Sequence, residues 1–157
     1  MTATITIAPV RKTLRVRASQ AHAFEVFTAG LASWWPSTHG IGEGPMERPV
    51  FEPRLGGRWY ELGKDGAEAE VGQVLLWEPP ERFVVSWNID SRWKPAKIGS
   101  EVEVRFIAEG EETRVELEHR KFEVMGEEGG RKMRSDVDGG WPHILDLFKQ
   151  SAEGAAS

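Results

Sequence analysis

Between Phe51 and Trp87 the chain reads FEPRLGGRWYELGKDGAEAEVGQVLLWEPPERFVVSW, and little but an antiparallel meander can be made of it. Gly56-Gly57 and Lys64-Asp65-Gly66 bracket the short strand GRWYEL, and Glu78-Pro79-Pro80-Glu81 turns AEVGQVLLW into RFVVSWNI. In that last strand Phe83, Val85, Trp87 and Ile89 share one face. The pattern continues in SEVEVRFIA, with Val102, Val104 and Phe106 inward and Glu101, Glu103 and Arg105 outward. TRVELEH repeats it, with Val115 and Leu117 inward and Arg114, Glu116 and Glu118 facing water. Strict period-two alternation predicts a sheet wet on one face and covered on the other.

The cover is supplied from both ends of the chain. An opening strand over about Ile5 to Ala18 leads to Ser19, a helix N-cap, and to Ala21, Phe24, Phe27 and Leu31 on one helical face. Gly30 interrupts this helix, and Ala32-Ser33-Trp34-Trp35 makes a second short turn stopped by Pro36. Near the C-terminus Val137, Trp141, Ile144, Leu145 and Phe148 form a broad apolar stripe, with a loosened or kinked turn expected at Gly139-Gly140 and Pro142. The fold class is therefore α+β: a curved antiparallel sheet of about six strands wrapped around a long C-terminal helix, with a short helical pair after the first strand. Residues 1–157 read as a single domain. Residues 36–49, PSTHGIGEGPMERP, read as a loop, either a lid over a cavity mouth or a plain connection.

Composition closes several routes to function. There are no cysteines, which excludes disulfides and thiolate chemistry and makes the cytoplasm the default compartment. The net charge is −5 and basic residues are dispersed, so nucleic acid is not an expected partner. No apolar run approaches the length of a membrane span. His22, His39, His119 and His143 show no ligand spacing, no GxSxG motif occurs, and Gly40 to Gly44 lacks the strand and helix of a phosphate loop. No metal or cofactor is expected.

What remains is aromatic. Seven tryptophans in 157 residues are many for one small core. Trp59, Trp77, Trp87 and Trp141 fill the core or border a ligand cavity, while Trp34, Trp35 and Trp93 sit in loop-like contexts suited to a rim. His119 continues the inward parity of Val115 and Leu117. Its imidazole serves a ligand as hydrogen-bond partner or acid–base group, or it is satisfied by neighbouring groups as part of the structure.

GGRW (Gly56 to Trp59), VGQVLLWEPPERFVVSW, VELEH and the terminal GGWPHILDLF, in this order and spacing, resemble the START-like (SRPBCC) helix-grip superfamily. The similarity runs from about residue 10 to 150 and is closest to the branch related to the C-terminal domain of the activator of the ninety-kilodalton heat-shock chaperone's ATPase. The resemblance implies a hydrophobic cavity between sheet and helix, with Trp59, Trp87, His119 and Trp141 facing it. Relatives of this kind bind lipids, sterols, polyketides or other apolar molecules, and a few catalyse cyclisation or hydrolysis. The expectation is a binding protein for a small apolar or aromatic ligand, with Trp34, Trp35, Trp59, Trp87, His119, Trp141 and Leu145 at the site. The alternatives are a chaperone-linked or stress-related interaction module, or a homodimer, using the outer sheet face, and a cyclase or hydrolase with His119 as its acid or base. The charged outward residues weigh against the interaction module. Chaperone activation is not expected either, because the separate N-terminal domain of the chaperone activator has no counterpart in this sequence.

Overall fold

A computed structural model describes residues 6–36 and 46–155. Strand β1 (Val10–Val16) is followed by helix α1 (Gln20–Phe27) and a 3-10 turn (Leu31–Ser33). Six strands follow: β2 (Met46–Phe51), β3 (Arg58–Gly63), β4 (Glu68–Glu78), β5 (Arg82–Ile89), β6 (Pro95–Glu109) and β7 (Glu112–Arg120). Helix α2 (Gly126–Ala155) closes the chain as one continuous element that includes Pro142. Every strand pairing is antiparallel, in the order β1-β7-β6-β5-β4-β3-β2.

Among the described residues the sheet has seven strands where about six are expected from the sequence, and the addition is β2. Its sequence, MERPVF, carries two charges and a proline, and its first four residues fall within the loop expected over residues 36–49. Proline removes a ladder donor, which is tolerated where one side of a strand is unpaired, and β2 is an edge strand among the described residues. Residues 37–45, and with them His39, the run Gly40 to Gly44 and most of the lid reading, lie outside the described residues.

Curvature comes from irregular pairing. Register shifts interrupt the ladders at Met46/Arg48, Trp59/Tyr60, Val74/Leu76 and Trp87/Ile89, each adding bend and twist. Gly72 and Gly99 make the close approach possible: a methyl group would overlap the Ser86 carbonyl at the first and the Trp87 carbonyl at the second. The concave face of the curled sheet packs on α2 and α1. Ser19 caps α1, accepting a bond from the His22 amide at 3.1 Å. Phe148 of α2 is fully buried, its ring 4.8 Å from Phe27 and 5.5 Å from Trp34.

The outer face is charged, with one correction to the alternation. Glu103, expected to face water, is buried beneath Arg82, Arg105 and Arg120, which all pair with it. Burial pushes its carboxyl pKa up, but the hydrogen bonds from Arg120 and Arg105 outweigh burial and hold it below the ordinary value. The helix basics are likewise engaged: Arg131 pairs with Glu127, Lys132 with Asp136, and Arg134 donates to the Ala8 carbonyl. Among the described residues no helix is long and apolar enough to cross a membrane.

Candidate functional site

A cavity of about 210 Å³ lies between the concave sheet and α2. Its wall is a closed ring of four indoles. Trp35 packs edge-on against Trp59 at 5.3 Å, Trp59 against Trp87 at 5.6 Å, Trp87 lies 5.8 Å from Trp141, and Trp141 returns to Trp35 at 6.3 Å. Four chain segments bring them together. Trp59 of β3 and Trp87 of β5 point inward by strand parity, Trp141 projects from α2, and Trp35 follows the 3-10 turn. Val71, Ile89, Val137 and Ile144 complete the apolar lining, and Trp93, Asp136 and Gly140 also border it.

Polar groups at the cavity are few. Glu61, two residues beyond Trp59 and so on the same face of β3, is buried in the lining. Asp136 is already committed, accepting from the Trp93 indole at 3.0 Å and from Lys132 at 2.8 Å. The hydrogen bond from Lys132, the larger effect, and that from the Trp93 indole hold the Asp136 carboxyl below its ordinary pKa against partial burial. The indole N–H groups of Trp59 and Trp87 are buried and have no hydrogen-bond acceptor among the described residues.

His119 stands behind this wall, fully buried and not part of the lining. The Trp141 indole donates to its Nδ1 at 3.1 Å, and its Nε2 lies 2.7 Å from Ser100 Oγ. An indole nitrogen can only donate, so Nδ1 must be the unprotonated nitrogen and the proton sits on Nε2, facing Ser100. The ring stacks on Phe122 at 4.7 Å and meets Trp87 edge-on at 5.1 Å. Burial in this apolar nest pushes the imidazole pKa down to about 3, so His119 is neutral at ordinary pH. Both nitrogens are occupied, and the group reaches the cavity through Trp141.

The residues singled out from the sequence thus divide. Trp35, Trp59, Trp87 and Trp141 meet around the cavity. Trp34, His119 and Leu145 lie outside its lining: Trp34 is packed between Phe27 and Phe148 and donates to the Val26 carbonyl at 2.8 Å. Leu145 is buried in the core one turn beyond Trp141. Glu61, Asp136 and Gly140 were not anticipated. For Glu61 the signal was present, because period-two counting from Trp59 lands on it. Gly140 precedes Trp141 and follows Val137 by three residues on the same helix face.

Residues 17–153 match the family model described as Activator of Hsp90 ATPase homolog 1-like protein. No curated protein matches the sequence. Among solved structures, the anthrahydroquino-gamma-pyrone synthase Txn09 complexed with SUM is 39% identical, with 92% of this chain and 97% of that one covered and a TM-score of 0.64. The self-sacrificing resistance protein CalC from Micromonospora echinospora is 31% identical, covering 95% and 96% of the two chains at a TM-score of 0.69. The Aha1 dimer from Colwellia psychrerythraea is 14% identical over 94% and 97%, with a TM-score of 0.66, a likeness of fold alone.

Proposed function

The chain belongs to the activator of Hsp90 ATPase homolog 1-like family, and from that membership we propose that it binds a small planar aromatic molecule within the ring of tryptophans. The observation that carries this reading is the closed contact circuit of Trp35, Trp59, Trp87 and Trp141 around a cavity. Indole faces and edges favour a flat π-system over a flexible chain, because offset and edge-to-face contacts each add about 0.5–1.5 kcal/mol beyond area burial. At about 210 Å³ the space falls below the ~300–1,000 Å³ usual for drug-sized ligands. A fused-ring ligand therefore protrudes at the mouth, past Trp93 and Gly140, or displaces the rings. Two acceptorless indole N–H groups favour a ligand with carbonyl oxygens, although a carbonyl would have to part the covering rings to reach them.

The 39% identity to a synthase supports a second reading, in which the same cavity converts its ligand. In that reading acid–base work falls to a group other than His119, whose nitrogens are held by Trp141 and Ser100. Fluorescence titration with anthraquinone tests the binding claim, and chromatography of the mixture separates bound from converted ligand. Saturable quenching is expected, and Gly140→Leu, which plants a side chain at the cavity border, should weaken it at least ~10-fold. Equal affinity in parent and variant would remove the ligand from this cavity.

A further inference from the structure

His119 does not line the cavity, yet it touches two of the four indoles that do. Its ring meets Trp87 edge-on at 5.1 Å, and its Nδ1 accepts from the Trp141 indole at 3.1 Å. Trp141 projects from α2 with the cavity along one side. The residue before it is Gly140, where an added methyl group would meet none of the described atoms within 4 Å. A ring bordered by empty space lacks part of the dispersion contact that fixes a fully packed one. The bond to His119 supplies the orientation that packing does not, because turning the indole away would strand a buried donor and a buried acceptor together. We propose that His119 is the positioning residue of this site, its Nδ1 holding the Trp141 indole at the angle a flat ligand meets while never touching the ligand itself. This inference rests on the binding role proposed above and adds the device that pre-forms the wall.

His119 is itself rigidly held. It lies in β7 opposite Val10 of β1 on one side and Val102 of β6 on the other, so sheet pairing fixes its backbone from both directions. Its ring stacks on the fully buried Phe122 at 4.7 Å. Nε2 lies 2.7 Å from Ser100 Oγ, and Ser100 pairs with Trp87 in the β5–β6 ladder. With the Nε2 proton turned to Ser100, Nδ1 is left bare for the indole, which can only donate. Contacts therefore run from Ser100 on β6 through His119 on β7 to Trp141 on α2. A wall ring held this way in the empty protein needs no ordering when the ligand arrives. Ordering one such side chain on binding costs a factor of about 2–10 in affinity.

The test titrates anthraquinone by tryptophan quenching on the full chain, with two replacements of His119 that share one shape. Leucine and asparagine are nearly isosteric, but only asparagine carries an acceptor, its amide oxygen, at the place of Nδ1. His119→Leu should weaken binding about 3- to 10-fold, while His119→Asn should stay within about 2-fold of the parent. In a nitrogen-15 correlation spectrum the Trp141 indole signal should move and broaden in the leucine variant and stay sharp in the asparagine one. Circular dichroism and thermal melting establish that both variants keep the fold. No loss with leucine, or a loss with asparagine as large as that with leucine, overturns the positioning role and leaves the binding role intact. A parent that binds no anthraquinone overturns the binding role, and the positioning role with it. One further measurement needs no variant: long-range nitrogen-15 correlation of the His119 ring should show Nδ1 bare and Nε2 protonated, and the opposite tautomer overturns the proposal.

Discussion

Replacing His119 with glutamine should flatten the acid side of this protein's stability profile. The imidazole is fully buried, with a pKa pushed down to about 3 by burial, against about 6.5 in an unfolded chain. The unfolded state thus binds a proton that the folded state refuses. Stability is complete above the unfolded value and falls as pH drops from about 6.5 toward 3, by about 1.4 kcal/mol per pH unit. Between about pH 7 and pH 5 the loss comes to about 2 kcal/mol, a large part of a margin that is typically ~5–15 kcal/mol. The carboxylates held below their ordinary pKa, among them Glu103, Glu118 and Asp136, lose their contribution only at lower pH, so this window isolates the histidine. Glutamine can accept from Trp141 and donate to Ser100 without titrating. Urea unfolding followed by tryptophan fluorescence should show the parent's midpoint falling by about 1 M across the window and the variant's barely moving. Parallel midpoint shifts in the two proteins would refute the buried neutral imidazole.

Three further substitutions probe the frame around the site. Phe148→Ala should cost about 3–5 kcal/mol in denaturant unfolding, since its ring is fully buried against Phe27 and Trp34. Gly99→Ala should cost roughly 3 kcal/mol, because the added methyl overlaps the Trp87 carbonyl where β5 and β6 bend together. Trp141→Phe strands the acceptor Nδ1 of His119 and should cost about 1–3 kcal/mol for that group on top of lost packing; restoration of part of this loss by a second change, His119→Leu, would show that the unpaired nitrogen is responsible.

Much of this architecture was legible because strands covered on one face write their parity into the sequence. Val102, Val104 and Phe106 on β6 and Val115 and Leu117 on β7 announce a concave face, and the same count places Trp59 and Trp87 on it. β2 was hidden because an edge strand needs neither alternation nor the amide that Pro49 lacks. Trp34 and Trp35 are adjacent just after a 3-10 turn, where no periodicity tells which indole turns to the core and which to the cavity. His119 was placed inward by parity, but its bonds to Ser100 and Trp141 join residues 19 and 22 positions away, which local pattern does not encode. Glu103 shows the converse: a residue facing away from the core is buried by three long arginines, Arg105 on its own strand and Arg82 and Arg120 on the two neighbouring strands, a covering set by side-chain reach.

The most direct test of the tryptophan-walled site uses the indole N–H signals of the seven tryptophans in a nitrogen-15 correlation spectrum. Each is assigned by single Trp→Phe changes and followed as anthraquinone is added. In a tryptophan-walled site the signals of Trp35, Trp59, Trp87 and Trp141 move together and saturate, while those of Trp34, bonded to the Val26 carbonyl, and Trp77, outside the lining, stay in place. Saturable shifts at Trp34 or Trp77 with the four wall signals unmoved would contradict it.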